Sequence, residues 1–352
     1  MFPLTDTVRH LILVLGSGFL GFVVAFLAAP GFIKLLYKFK IGKNIRTIAS
    51  DGKVAELFHA LHAKKAGTPT MGGVLIWMSV IIVVILSRFL SFGGLFEHSL
   101  LNRAETYMPF ITLLVVAALG AIDDIFNIKG WGKSKGLNIK PKMFTLTLFA
   151  IAAALWFYFK LDYNSIHVPG VGDFYLGWWI IPLFVFILTG SANAVNFTDG
   201  LDGLAGGLII ISFGTYSALA YAHGLLILSA FCALISGATL AFLWFNIPPA
   251  RFYMGDTGAL ALGATLGVIA MLTNTVLILP FIGSIFVIET LSVIIQLTSK
   301  KIFHKKVFLI APLHHHFEQK GWPESQVVMR FWIIGGLLAA VGLVLGLVGM
   351  GN

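Results

Sequence analysis

The chain has 352 residues, of which 58% are hydrophobic and only 11% charged, with a mean hydropathy of +0.93 and a formal net charge of +9. A composition this apolar lies outside the range of soluble globular domains, so lipid is the solvent in which the fold has to be stable. Cys232 is the sole cysteine, which excludes a disulfide framework and a multi-thiolate metal centre.

Crossing about 30 Å of hydrocarbon as a helix takes about 20 apolar residues. In chain order such stretches fall at 11–33, 71–90, 107–124, 142–160, 174–195, 203–221, 224–245, 256–273, 276–297 and 330–349. They predict an all-α integral membrane protein with about ten transmembrane helices, folded as one polytopic domain over residues 1–352. Ten spans put both termini on one side and the odd-numbered loops on the other. Of 24 Lys and Arg, only Arg9, Arg88, Arg103 and Lys160 fall on the terminal side. The rest lie in or beside the odd loops, so the positive-inside rule makes those loops cytoplasmic and the termini extracytoplasmic. The same bias accounts for most of the net charge without nucleic acid, for which no recognisable module is present. Cys232, inside the seventh stretch, reads as a small apolar packing residue.

The unusual polar residues all fall on the basic side. They form GTPTMGG (67–73), AIDDI (121–125), NFTDGLDG (196–203), FYMGDTG (252–258) and APLHHHFE (311–318). Carboxylates at the edge of hydrocarbon lose hydration and are retained where an ion, proton or substrate is handled. Asp123, Asp124, Asp199, Asp202 and Asp256 are placed in that way. As helical neighbours, Asp123 and Asp124 diverge by about 100°, which predicts separate duties rather than one shared ion. Asp199 and Asp202 would share a face if the next helix began there, and its free N–H groups would suit phosphate oxygens. Asp256 offers the hard oxygen that Mg²⁺ prefers, with the aromatic pair Phe252 and Tyr253 available to stack on a planar base. A simple N-cap is the alternative for Asp256, and an interfacial, water-solvated pair for Asp123 and Asp124. His314, His315 and His316 are consecutive and so do not converge on one metal; hydrogen bonds to phosphate beside Lys305 and Lys306 fit them better. Glu289, inside the ninth stretch, reads equally as a buried partner or a site residue.

Taken in order, GTPTMGG, the IDD pair, NFTDGLDGL, MGDTG and APLHHHFE resemble the signatures of the bacterial phospho-N-acetylmuramoyl-pentapeptide transferases, the MraY family within the polyprenyl-phosphate N-acetylhexosamine-1-phosphate transferases. The resemblance continues through ETLSVIIQ (289–296) and KGWPE (320–324), and the APLHHHFE form favours this branch over the related GlcNAc-1-phosphate transferases. It implies transfer of phospho-MurNAc-pentapeptide from UDP-MurNAc-pentapeptide to undecaprenyl phosphate at the cytoplasmic face of the bacterial inner membrane. Lipid I and UMP would be the products, Mg²⁺ the cofactor and a homodimer the assembly. By position, the resemblance implies Asp256 as magnesium ligand, Asp123 as base toward the lipid phosphate, and Asp124 and Asp199 as the rest of the acidic cluster. It further implies Asn196 and Asp202 at the nucleotide, Lys64 or Lys65, Thr70 and Asn246 at other substrate positions, Tyr253 as the aromatic face, and His314, His315 and His316 as an essential motif.

Three departures stand out. Tyr253 replaces the usual Phe, Asn127 stands where a Lys is common, and the first loop is longer around 47–60. A transporter, the main reading from another class, predicts acids near mid-membrane and internal repeats. The sequence has neither, and a non-catalytic scaffold needs no such polar constellation.

Overall fold

The computed structural model describes residues 5–39, 41–42, 67–92, 99–101, 104–131 and 139–348; Lys64 and Lys65 lie outside them. The long helices are α1 (Asp6–Lys38), α2 (Gly73–Phe92), α3 (Ala104–Ile128), α4 (Ile139–Leu161), α5 (Ile180–Thr198), α6 (Leu204–Ala222) and α7 (Leu226–Asn246). They are followed by α8 (Asp256–Leu272), the single turn α9 (Leu279–Ile282), α10 (Ser284–Ile302), the short α11 (Leu313–Gln319) and α12 (Glu324–Val348). Eight of these, α1 to α7 and α12, are long and apolar enough to cross a membrane, and the chain is a multi-pass membrane protein.

The other two predicted stretches behave differently. Helix α8 has 17 residues, and every one from Thr257 to Leu272 is buried. At 1.5 Å per residue it is about 25 Å long, short for a span. Its small and aliphatic side chains make every face apolar, and such a helix belongs inside protein rather than in lipid. It packs against α3 and α5 and touches α2 and α6. A Cβ on Gly73 would lie 2.2 Å from Gly258 Cα, and one on Gly120 would lie 2.3 Å from the Asp256 carbonyl oxygen, so α2 and α3 meet α8 backbone to backbone. That contact brings the GTPTMGG and IDD segments to the start of α8.

The predicted stretch 276–297 is broken at Gly283 into α9 and α10. Helix α10 buries its polar stripe, Glu289, Ser292, Gln296 and Ser299, and exposes Leu291, Ile294, Ile295, Leu297 and Ile302. Polar groups inside and aliphatic groups outside suit lipid as the surrounding medium. Gln296 and Ser299 hold the following basic turn through the Val307 and Phe308 N–H groups and the Lys305 carbonyl. A spin label at Ile294 or Leu297 is therefore expected to be accessible to oxygen and shielded from a water-soluble nickel reagent in vesicles, with buried Cys232 unlabelled. Nickel accessibility equal to that of a label at Lys306 would remove the lipid-facing assignment.

The opposite end of the bundle carries a departure from the all-α expectation. Strands β1 (Ser165–Val168) and β2 (Gly172–Tyr175) pair antiparallel, with Ser165 opposite Tyr175 and Val168 opposite Gly172. The predicted start of the fifth stretch at 174 thus belongs to β2 and the 3₁₀ turn Gly177–Trp179, and α5 begins at Ile180. The hairpin is fastened to the far end of α8 by His167 N–H to Asn274 Oδ1 at 3.0 Å and by Tyr163 O–H to the Leu272 carbonyl at 3.0 Å.

Candidate active site

Four helix ends meet at the end of the bundle away from the hairpin. The C-terminal turn of α3 supplies Asp123 and Asp124, the first turn of α4 Lys142, the last turn of α5 Asn196, and the first residue of α8 Asp256. Lys142 Nζ donates to Asp123 Oδ2 at 2.9 Å and also to Asp256 Oδ2. Asn196 Nδ2 donates to the other oxygen, Asp256 Oδ1, at 2.9 Å. Two carboxylates from different helices thus face one ammonium, with side-chain exposures of only 8% for Asp123, 21% for Asp256 and 14% for Lys142. Carboxylates this close repel each other unless a cation lies between them. In this structure Lys142 supplies that charge.

Asp124 points elsewhere, as the divergence of helical neighbours requires. Its Oδ1 accepts the Asp256 N–H at 3.1 Å and its Oδ2 the Thr257 N–H at 3.0 Å. It caps the start of α8 from another helix and favours the positive end of that helix dipole. Asp256 is therefore not its own N-cap; the preceding Gly255 takes that position with φ 74. Asp124→Ala leaves the buried Thr257 N–H and the partly buried Asp256 N–H unpaired and is expected to cost about 1–3 kcal/mol, with Asp124→Asn costing less. Thermal unfolding in one detergent checks this; an alanine variant as stable as wild type would remove the capping role.

The loop motifs brace this floor. The Tyr253 N–H donates to the Pro69 carbonyl at 2.8 Å, and Gly72 and Gly73 N–H return bonds to the Tyr253 and Met254 carbonyls at 2.7 and 2.8 Å. Thr70 lies beneath with its hydroxyl buried and without a hydrogen-bond partner among the described residues. Phe252 is fully buried against Phe242 and Phe245, so of the expected aromatic pair only Tyr253 retains access. Asn246 ties the loops together: its Oδ1 accepts the Gly203 N–H at 3.0 Å and its Nδ2 donates to the Phe252 carbonyl at 2.8 Å.

The NFTDGLDG segment differs from expectation. Asp199 terminates α5 and α6 starts only at Leu204, so Asp199 and Asp202 do not share a helical face. Two backbone N–H groups just before that helix are already taken. The Asp202 N–H donates to Glu324 Oε1 at 2.7 Å, the Gly203 N–H is taken by Asn246, and Asp202 Oδ2 accepts the Ala250 N–H at 3.0 Å.

The three histidines have three different partners, as consecutive residues on a helix must. His314 is fully buried; its N–H and Nδ1 lie 3.1 and 3.0 Å from the two oxygens of fully buried Glu289. Its Nε2 is buried without a partner among the described residues and is aimed at Gly200, where a Cβ would stand 2.3 Å away. Glu289 is thus a buried partner of the motif. His315 Nδ1 lies 2.7 Å from Glu318 Oε2. His316 Nδ1 accepts the Leu309 N–H at 3.2 Å, while partial burial and then the Lys320 ammonium hold this imidazole below its ordinary range, consistent with a neutral ring.

Comparison of the sequence with known proteins points to one group. The profile of Glycosyl transferase family 4 matches residues 106–274, and the phospho-N-acetylmuramoyl-pentapeptide-transferase signature 1 matches residues 65–76. A phospho-N-acetylmuramoyl-pentapeptide-transferase of Geobacillus sp. (strain WCH70) is 39% identical over 92% of this chain and 95% of its own length. The same-named protein of Pelagibacter ubique (strain HTCC1062) is 41% identical over 92% and 89%, and that of Chloroflexus aggregans (strain MD-66 / DSM 9485) 38% identical over 97% and 91%. The chain belongs to the phospho-N-acetylmuramoyl-pentapeptide-transferase family. Within it, the glycosyl transferase match spans all of Asp123, Asp124, Lys142, Asn196, Asp199, Asp202, Asn246, Tyr253 and Asp256, whereas the three histidines lie beyond. Lys142 is the site residue that sequence reasoning missed. In sequence it is one more charge of the third loop, and the usable signal was its place at the very start of an apolar stretch.

Proposed function

We propose that this membrane transferase moves phospho-MurNAc-pentapeptide from UDP-MurNAc-pentapeptide to undecaprenyl phosphate, releasing UMP and forming lipid I at the cytoplasmic face of the bacterial inner membrane. The observation that carries the proposal is the meeting of Asp123, Lys142, Asn196 and Asp256 at one end of a membrane bundle, in a chain of this family. One substrate is anionic and soluble, and the other has a phosphate at the interface with its tail in lipid, so the reacting groups belong at a membrane surface. The excess of Lys and Arg in the odd-numbered loops supports the cytoplasmic side, and counting the buried α8 and the broken α9–α10 segment as crossings beside the eight long helices gives ten passes with both termini outside. A homodimer is part of the same reading.

The donor set fits Mg²⁺, whose sites combine one or two carboxylates with substrate phosphates. No group of three or more His, Cys, Asp and Glu converges as a metal cage among the described residues, so Asp256 would hold the ion together with the substrate phosphates. When bound, Mg²⁺ supplies neutralisation of the pyrophosphate charge. Asn196 fixes the Asp256 carboxylate through its amide. Lys142 orients both carboxylates and offers its ammonium to phosphate oxygens as charge develops. Asp123 stands ready to accept a proton from the lipid phosphate, whose second dissociation lies near neutrality and needs only modest help. Direct attack on the pyrophosphate follows, with UMP departing.

The test is UMP release by purified protein with UDP-MurNAc-pentapeptide, undecaprenyl phosphate and Mg²⁺, comparing wild type with Asp256→Asn and Asp123→Asn. Full activity in both variants sinks the site assignment, and omission of Mg²⁺ without effect sinks the cofactor. A labelled phospho-sugar trapped on the protein without acceptor lipid would replace direct attack by a two-step route.

A further inference from the structure

The KGWPE segment, 320–324, has no part in the transfer as described, yet it joins two site loops. Trp322 stacks on Phe317 of α11 with ring centroids 4.6 Å apart at 22°, and the Arg330 guanidinium lies 4.1 Å from the Trp322 ring centroid. The Trp322 N–H also donates to the Phe317 carbonyl at 3.1 Å. Two residues on, Glu324 opens α12 and its Oε1 receives the Asp202 N–H at 2.7 Å, across 122 residues of sequence. A carboxylate receiving a backbone N–H forms a charge-assisted bond of the stronger kind. On the other side of the same loop, His314 Nε2 presses against Gly200.

We propose that Glu324 is a positioning residue for the Asp199–Gly203 loop. Its carboxylate fixes the backbone on which Asp199 and Asp202 are carried, and the Trp322–Phe317 stack ties that anchor to the helix bearing His314. The loop that ends α5, one turn past Asn196, is then held in register with Asp256. The inference rests on the transfer reading for its kinetic consequence, but not for its structural one.

Two measurements on the full-length protein separate these. Hydrogen–deuterium exchange over residues 199–204 is expected to accelerate by about 10- to 100-fold in Glu324→Ala, from loss of a charge-assisted bond. The KM for UDP-MurNAc-pentapeptide should rise by about tenfold or more in the same variant, with kcat falling less, and Glu324→Gln, which keeps an acceptor oxygen, should recover most of both. Unchanged exchange in Glu324→Ala overturns the anchor, and faster exchange with wild-type kinetics overturns its positioning role. If Glu324→Ala does not accumulate, Glu324→Asp, which keeps the charge and withdraws the oxygen, must show the same rise in KM; a wild-type KM there overturns the proposal. A wild-type protein that releases no UMP refutes the transfer reading alone, because exchange still decides the anchor.

Discussion

Replacing Lys142 with methionine is expected to slow UMP release by about 100- to 1000-fold, the range seen when one preorganised charge donor is taken from a reaction centre. Methionine keeps the apolar stem and removes the ammonium that sits between Asp123 and Asp256. Two largely buried carboxylates then face each other with no cation, and each is free to swing away from the other or to take up a proton. Under the proposed function, either outcome removes the metal-binding and proton-accepting groups together, so kcat should fall more than the KM for either substrate rises. Lys142→Arg keeps the charge but replaces a compact ammonium by a planar fork, and only partial recovery is expected. A methionine variant within threefold of wild type would reduce Lys142 to a local counter-ion. Steady-state rates at saturating substrate, with circular dichroism to confirm folding, decide the matter.

The second large effect is expected at Glu289. Both it and His314 are fully buried, and Glu289→Ala strands the His314 N–H and Nδ1 in a site that water does not reach. Loss of one partner of such a pair costs about 2–5 kcal/mol, enough to lower the thermal midpoint clearly. Glu289→Gln is the more informative change. An amide that turns its N–H toward Nδ1 makes that nitrogen an acceptor and moves the ring proton to Nε2, the nitrogen aimed at Gly200. Stability should be largely kept while activity falls by about 100-fold or more, as when a carboxylate that sets a histidine tautomer becomes an amide. UMP release beside thermal unfolding separates the two variants; a fully active Glu289→Gln would show that the His314 tautomer is immaterial.

Several parts of this site are legible in the sequence because lipid makes polar residues expensive. Asp123, Asp124, Asn196 and Asp256 stand out against apolar stretches, and the charge bias along the loops places them at one end of the bundle. Partners are not legible in the same way. Nothing in the order of residues says that Asp124 caps α8 rather than facing a ligand, because an N-cap is ordinarily sought just before its own helix and this one comes from 132 residues earlier. Lys142 is hidden among loop charges, and Glu324 looks like an ordinary first-turn acid of α12. The interrupted ninth stretch was hidden for another reason: the residues from 276 to 297 are apolar enough to suggest one span, and only packing around Gly283 separates α9 from α10. The hairpin had a local signal, Pro169 and Gly170 between branched and aromatic residues, but it was masked by the apolar run into α5.

The order in which the site's parts leave the ribosome has a consequence for biogenesis. Asp123, Lys142, Asn196 and Asp256 enter the membrane in succession, His314 follows, and Glu324 arrives with α12. A nascent chain halted before α12 holds the acids but lacks the anchor under Asp202. Such a half-inserted intermediate would hold its acids without the Glu324 bond that fixes their loop, so their alignment waits for α12.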